Sequence, residues 1–198
     1  MIQANRSITE PEKLERMLNV ARECLAVPGE FWELGVFKGG SARELGQICS
    51  EDSRILRLFD SFEGMPKPSF YDTGPEAIEG HFRDTSLEEV KEFVNYPLAI
   101  YHKGWIPKVF ESFVPKGSPL SLVVVPKIAF AYIDLDLFEP TNATLWFLWP
   151  HLVRGGVLVI DDYDHPEWPG VKLAVDVYFE PLRVEIQPFL RQAVVRKR

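Results

Sequence analysis

The sequence predicts a doubly wound α/β fold with a mostly parallel seven-stranded sheet that ends in an antiparallel C-terminal hairpin. Two near-continuous apolar stretches, Ile128–Ile133 and 156–160, have the composition of strands buried on both faces of a parallel sheet. Residues 141–153 between them have the length of a crossover helix, which predicts a right-handed βαβ unit. Strand and helix patterns alternate in the same way along most of the chain.

The remaining elements follow from local patterns taken in chain order. A first helix is predicted over 10–25, because Thr9 and Glu12 have capping-box spacing and Pro11 suits a first turn. Ser86 and Glu89 mark another helix start. Further helices are predicted over 42–49, 86–96, 108–113 and 171–179. The other strands are predicted over 30–34, 54–59, 98–102, 183–188 and 192–196, the last two forming the hairpin.

Composition indicates one globular domain over residues 1–198. The net charge of −7 argues against a nucleic acid partner, because phosphate binding requires a basic surface. No signal peptide is visible, and the most apolar stretch is too short to span a membrane. The two cysteines, Cys24 and Cys49, lie in apolar helical patterns and are predicted to be buried free thiols. We therefore expect a cytoplasmic protein.

A glycine-rich turn after the first strand predicts a ligand site. The stretch from Glu33 through Gly35 and Gly39 to Ser41 ends a strand in an acid and lets the backbone pass close to a ligand before a helix begins. Asp60 ends the second strand, where doubly wound nucleotide-binding proteins place an acid on the ribose hydroxyls. NAD and S-adenosylmethionine share that ribose, so these residues leave both cofactors open.

An acidic cluster follows the two central strands. Asp134 and Asp136 come after the first, and Asp161 and Asp162 after the second. The carboxyl ends of parallel strands meet at one sheet edge, where open α/β sheets bind ligands. Four carboxylates at one edge repel one another unless protons or a cation intervene. Mg²⁺ prefers such oxygen ligands, so the sequence predicts a divalent metal site.

Four motifs together resemble the macrocin O-methyltransferase family, within the class I methyltransferase superfamily. The sequence reads ELGV…GGS from Glu33, DSFEGMP from Asp60, DLDLFEPT from Asp134 and GGV…DDY from Gly155, and the similarity covers roughly residues 29–180. Members of that family methylate sugar hydroxyls of macrolide and aminocoumarin antibiotics with S-adenosylmethionine and Mg²⁺. Class I methyltransferases also add a hairpin after the fifth strand.

The resemblance implies a role for each matching residue. The cofactor pocket would include Glu33, Gly35, Gly39, Ser41, Asp60, Ser61 and Asp134. The metal would be held by Asp134, Asp161 and Asp162, and Asp134 or Asp136 would accept the proton from the acceptor. The acceptor would be a small hydroxylated molecule such as a sugar or another vicinal diol, and a homodimer is expected.

Several features depart from the family or leave alternatives open. The family shows Tyr-Glu-Ser-Thr where this chain reads Phe138-Glu139-Pro140-Thr141. Residues 61–82, rich in Gly, Pro and aromatics, are predicted to form a lid that is short for the family, and 1–28 an N-terminal helical region. His165 could act as a base, an extra ligand or a loop residue. The chain could also be a non-catalytic S-adenosylmethionine-binding protein, or a glycosyltransferase that uses the D-x-D of Asp134 and Asp136.

Overall fold

The computed structural model describes residues 6–114 and 124–198 and contains the predicted α/β fold. A seven-stranded sheet has the order β3-β2-β1-β4-β5-β7-β6. The first five strands in this order are parallel, and β7 pairs antiparallel with both β5 and β6. The strands are β1 Glu30–Leu34, β2 Leu56–Asp60, β3 Ala99–Lys103, β4 Ile128–Ile133, β5 Leu152–Ile160, β6 Ile186–Phe189 and β7 Gln192–Arg196.

The helices cover both faces of this sheet and produce two hydrophobic cores. They are α1 Pro11–Glu23, α2 Gly40–Ser50, α3 Leu87–Val94, α4 Phe138–His151 and α5 Pro169–Phe179, with 3-10 turns at Cys24–Ala26 and Lys108–Phe113. Residues of α1, α2 and α3 pack in one cluster, and residues of α4, α5 and the second 3-10 turn pack in the other. Strands buried on both sides explain the continuous apolar runs in the sequence.

The central βαβ unit positions the acids. Every residue of β4 is buried, and β4 pairs with β1 on one side and β5 on the other. The register places Leu34 opposite Ile133 and Ile133 opposite Ile160, so these strands end at the same level. The residues that follow them therefore meet at one edge, as the sequence predicted.

Several boundaries differ from those predicted. The capping box at Thr9 and Glu12 is wrong: the N-cap of α1 is Glu10, which forms no side-chain capping hydrogen bond. At α3 the predicted cap is confirmed, because the Glu89 amide donates to Ser86 Oγ at 3.3 Å. Helix α4 starts at Phe138, and Pro140 lies in its first turn, where proline costs no intrahelical hydrogen bond.

Cys24 and Cys49 are buried free thiols, as predicted. Within 6–114 and 124–198, no helix has the length and apolar character needed to cross a membrane.

Candidate functional site

A pocket of about 280 Å³ lies above the carboxyl ends of β1, β2, β4 and β5. Its walls come from the segment before α1, the turn after β1, the loop after β2, and the acidic segments after β4 and β5. The residues that line it include Ser7, Lys13, Gly35, Ser41, Asp60, Ser61, Met65, Pro66, Phe82, Trp105, Asp134, Asp136, Pro140, Asp161, Asp162, His165 and Trp168. The glycine turn and the acid cluster therefore open into the same pocket.

Gly35 allows the turn after β1 to pack directly against β4. Its φ is +88°, and a Cβ at this position would lie 1.7 Å from the carbonyl oxygen of Asp134. Hydrogen bonds fix the approach, because the Gly35 amide donates to the Phe59 carbonyl at 2.9 Å and the Asp134 amide donates to the Leu34 carbonyl at 2.8 Å. Only glycine fits, and its absent side chain brings the pocket floor next to the acids.

Asp60 lines the pocket and anchors the glycine turn. Its Oδ2 accepts hydrogen bonds from the amides of Val36 and Phe37, both at 2.8 Å. Its Oδ1 accepts a third from the Phe62 amide at 2.6 Å. The carboxylate thus holds the turns after β1 and β2 together at the position predicted to contact a ribose, and that ribose contact stays a prediction.

Glu33 is fully buried beneath the pocket and does not line it. Its Oε1 accepts a hydrogen bond from Ser41 Oγ at 2.6 Å, whereas Oε2 has no partner among the described residues. Burial raises the pKa of Glu33 to about 8, against the opposing effect of the Ser41 hydrogen bond. The side chain is therefore mostly protonated at neutral pH and pins β1 to the start of α2.

The other predicted cofactor residues divide into two groups. Gly35, Ser41, Asp60, Ser61 and Asp134 line the pocket. Gly39 does not, although it is the left-handed N-cap of α2 with a φ of 82°. Ser61 Oγ donates to the Gly64 carbonyl at 2.8 Å and so shapes the loop after β2. The assignment of these residues to a cofactor remains a prediction.

Three carboxylates converge tightly in the acidic cluster. Asp134, Asp136 and Asp162 each offer an oxygen, and these atoms lie within 4.8 Å of one another. The pKa values of Asp134 and Asp136 are well above their usual range, because the groups are withdrawn from water and lie beside other carboxylates. Oxygen donors at this spacing suit a hard divalent cation such as Mg²⁺. The residues present therefore fit the metal that the family resemblance implies.

Asp161 belongs to the same cluster but is engaged by two other side chains. Its Oδ1 lies 2.5 Å from the ammonium nitrogen of Lys13, and its Oδ2 accepts a hydrogen bond from the Tyr132 hydroxyl at 2.7 Å. The Tyr132 hydroxyl is also 3.2 Å from Asp134 Oδ2. The predicted metal set of Asp134, Asp161 and Asp162 stays a prediction. The oxygens that converge within 4.8 Å among the described residues are those of Asp134, Asp136 and Asp162, so Asp136 stands where the prediction placed Asp161.

Sequence reasoning missed Lys13 and Tyr132. Lys13 is 5% exposed and lies in α1 one turn before the fully buried Met17. A lysine on the apolar stripe of an amphipathic helix was the signal available, because such a residue is buried only when it is paired. Tyr132 sits within the apolar β4 strand, where its sequence pattern indicated only core packing.

The segment before α1 also forms part of the site. Ser7 lies so close to α2 that a Cβ at Gly40 would be 2.0 Å from the Ser7 amide nitrogen. Residues 6–10 thereby contribute one wall of the pocket.

The predicted lid, residues 61–82, reaches the pocket with Met65, Pro66 and Phe82. Asp72 anchors its middle, because Asp72 Oδ1 accepts a hydrogen bond from the Phe138 amide at 2.7 Å at the start of α4. The loop is therefore packed over the site, and whether it closes on a ligand stays a prediction.

His165 lines the pocket, and each of its ring nitrogens lies near a donor. The Glu167 amide is 3.1 Å from Nδ1, and Arg191 Nη1 is 2.9 Å from Nε2. A neutral imidazole accepts through one nitrogen only, so the tautomer decides which of the two contacts is a hydrogen bond. The role of His165 as a base, an extra ligand or a loop residue stays a prediction.

Comparison with known proteins identifies the family. Residues 4–187 match the family model described as macrocin O-methyltransferase (TylF). The chain belongs to the macrocin O-methyltransferase family. This membership favours methyl transfer over the glycosyltransferase alternative, whose D-x-D motif is short and frequent.

Curated relatives of this macrocin O-methyltransferase family member act on natural products. Demethyldecarbamoylnovobiocin O-methyltransferase from Streptomyces niveus is 31% identical over 185 residues, which cover 83% of this chain and 65% of the relative. The 8-demethyl-8-(2,3-dimethoxy-alpha-L-rhamnosyl)-tetracenomycin-C 4'-O-methyltransferase from Streptomyces olivaceus is 32% identical over 149 residues, 69% of this chain and 54% of the relative. The chain thus spans less than two thirds of the length of either protein.

A solved structure supports the same fold. The crystal structure of CalS11, a calicheamicin methyltransferase, superposes with a TM-score of 0.78 at 25% identity and covers 93% of this chain and 78% of CalS11. The seven-stranded sheet with its C-terminal hairpin is therefore the Rossmann-like methyltransferase fold.

Replacement of Gly35 by alanine tests the close contact at the pocket floor. Gly35→Ala is expected to lower the free energy of unfolding by more than the roughly 1–2 kcal/mol that a left-handed residue alone costs, because the new Cβ meets the Asp134 carbonyl. Gly155→Ala is the matched control, since Gly155 has a similar φ of +81° but its Cβ would have ordinary contact at 3.7 Å. Urea denaturation measures both variants, and an equal loss in the two would contradict the contact.

Replacement of Glu33 by glutamine tests its buried, protonated state. A carboxyl whose pKa is about 8 in the folded protein and 4.5 when unfolded contributes stability that is lost as the pH rises between these values. Glu33→Gln should remove this loss, which is about 1.4 kcal/mol per pH unit. Denaturation at pH 5, 6.5 and 8 should show that the free energy of unfolding of the variant increases relative to that of the native protein as the pH rises. Glu15→Gln, on the exposed face of α1, should show a difference that does not change with pH.

Proposed function

We propose that the protein is a metal-dependent O-methyltransferase that transfers a methyl group from S-adenosylmethionine to a hydroxyl of a small natural product. The observation that carries the proposal is that the acid cluster and the glycine turn line one pocket at the carboxyl edge of the sheet. Membership in the macrocin O-methyltransferase family supports it, since the relatives' names describe transfer to hydroxyls of natural products.

The cofactor would bind over the turn after β1. Gly35 lines the pocket at this turn, and Asp60 and Ser61 line it from the end of β2. An acid at this strand end suits the two hydroxyls of a ribose. Asp60 already accepts three amide hydrogen bonds, so its carboxylate is held in a fixed orientation before any ligand binds.

The cation would be held by carboxylates of the acid cluster, drawn from Asp134, Asp136, Asp161 and Asp162. A bound Mg²⁺ would supply Lewis-acid chemistry by lowering the pKa of an acceptor hydroxyl. Tyr132 orients two of these acids, because its hydroxyl lies between Asp134 and Asp161. This buried hydrogen bond fixes the carboxylates before the ligand arrives, so less reorganisation is needed.

The reaction would be an in-line displacement. The acceptor oxygen would form a bond to the methyl carbon while the carbon–sulfur bond breaks, and the electron pair of the broken bond would remain on sulfur, leaving S-adenosylhomocysteine. Asp134 or Asp136 accepts the hydroxyl proton, and both line the pocket. The pocket walls contribute by holding donor and acceptor in line and excluding water.

The acceptor would be a ring bearing two neighbouring oxygens, such as a sugar diol. Phe82, Trp105 and Trp168 line the pocket and offer aromatic faces for such a ring. Pro140, which replaces the serine of the family pattern, also lines the pocket and removes a hydroxyl from the start of α4. The acceptor is therefore expected to differ from those of family members that carry the serine.

We also propose that the protein acts in the cytoplasm on a small molecule, without nucleic acid or membrane partners, and forms a homodimer. The net charge of −7 supports the absence of a nucleic acid partner, and the buried free thiols support the cytoplasmic location.

Trp146 and Val177, exposed by 66% and 53% on neighbouring helices α4 and α5, support the proposed homodimer. Light scattering coupled to size-exclusion chromatography would measure its mass, and a monomer at all concentrations would contradict it.

Catalysis can be separated from binding by titration and a methyl-transfer assay. S-adenosylmethionine should bind in calorimetry, and turnover on hydroxylated acceptors should require Mg²⁺. Asp136→Asn and Asp134→Asn should be compared, and the variant that removes the proton acceptor should lose about 10²–10⁴-fold in turnover. Asp84→Asn, at an exposed residue outside the pocket lining, is the control and should retain turnover.

Two results would contradict the proposal in different ways. Cofactor binding without turnover on any acceptor would indicate the non-catalytic binding protein. Failure to bind S-adenosylmethionine would reject the methyltransferase assignment altogether.

A further inference from the structure

Lys13 brings a positive charge into the acid cluster from a distant part of the chain. Its ammonium nitrogen lies 2.5 Å from Asp161 Oδ1 and 3.2 Å from Asp162 Oδ1, although Asp162 is 149 positions further along the chain. Only 7% of the lysine side chain and 3% of the Asp161 side chain are exposed. This ion pair is therefore shielded from solvent, unlike the exposed pair between Lys103 and Glu63.

The surroundings of Asp161 indicate that Lys13 does more than anchor α1. Asp161 Oδ2 is held by Tyr132, and the amide of Asp162 donates to Asp161 Oδ1, the oxygen that also contacts Lys13. Lys13 also lines the pocket into which these acids open. A charge in this position acts on whatever cation the carboxylates bind.

We propose that Lys13 is a positioning residue that sets the cation affinity of the acid cluster: it holds Asp161 and Asp162 in place and weakens divalent cation binding by like-charge repulsion. The inference rests on the proposed function, because it concerns the same metal site. It adds a residue from the N-terminal helix to a site otherwise built from the ends of β4 and β5.

The physical argument is a balance of charges. Four carboxylates face one another at this edge, and the ammonium offsets part of their repulsion in a region with little solvent screening. A divalent cation that binds Asp161 or Asp162 must then share these carboxylates with the Lys13 ammonium. Removing the lysine charge takes away the cation that competes for Asp161 and Asp162, so the cluster should bind a divalent cation more tightly, while the cation-free protein becomes less stable.

The test is magnesium titration of the full chain and its variants. Lys13→Met keeps an unbranched side chain without the charge and should bind Mg²⁺ on the order of tenfold more tightly than the native protein, by calorimetry with MgCl₂. Its melting temperature should be lower in magnesium-free buffer and should rise more when Mg²⁺ is added. Lys13→Arg retains the charge and should have an affinity within about threefold of the native value.

Lys103→Met is the control, because it removes the exposed ion pair with Glu63 and should leave Mg²⁺ affinity unchanged. If Lys13→Met is unfolded without magnesium, recovery of its circular dichroism during the titration supplies the affinity, and a failure to recover at any concentration overturns the inference.

The outcomes separate this inference from the proposed function. Mg²⁺ binding to the native protein with unchanged or weaker affinity in Lys13→Met would overturn the role of Lys13 alone. Binding to neither protein would overturn the metal requirement and the inference together. Tighter binding in Lys13→Met but native affinity in Lys13→Arg supports it.

Discussion

The parallel pairing of β1, β4 and β5 is the constraint on which the site depends. Because the three strands run in one direction and end at one level, the turn after β1 and the acids after β4 and β5 meet at a single edge. Gly35 makes this meeting close, since its backbone packs against the Asp134 carbonyl. A pocket with the Gly35 turn as its floor and an acidic wall follows directly from the sheet topology.

The same arrangement creates an electrostatic cost that the surrounding residues offset. Carboxylates withdrawn from water at this edge have raised pKa values, and isolated charges there would be expensive. Tyr132 donates a hydrogen bond from within the sheet, and Lys13 contributes a positive charge from α1. Buried polar groups of this kind act as a unit, so these two contacts help to hold the acids together.

The outer walls of the pocket depend on segments that are far apart in the chain. The segment before α1 packs on Gly40, and the loop after β2 is tied to α4 by Asp72. These contacts place aromatic side chains around a site whose floor is rigid. Binding residues in folds of this kind often lie on loops that a fixed scaffold positions, and here two such segments line the pocket.

The sequence by itself determined the order of strands and helices along the chain, the acids at the strand ends and the family. These features are local: apolar runs, glycines and acids at strand ends are readable because period and spacing reflect the element they belong to. Thr9 and Glu12 show the limit, since a capping pattern was present but the helix begins without that cap. Helix α4 begins at Phe138 instead of residue 141, and β5 begins at Leu152 instead of residue 156. Packing, rather than local preference, fixes where such elements begin and end.

Only the tertiary structure decided which side chains share the site. It buried Glu33 below the pocket, although its place in the motif predicted a lining residue. It also places Lys13 beside Asp162, which is 149 positions away in the sequence. Tyr132, for which the sequence pattern indicated only core packing, donates a hydrogen bond to Asp161. Long-range packing sets these contacts. Residues that are far apart in the sequence form no local pattern from which their contact could be predicted.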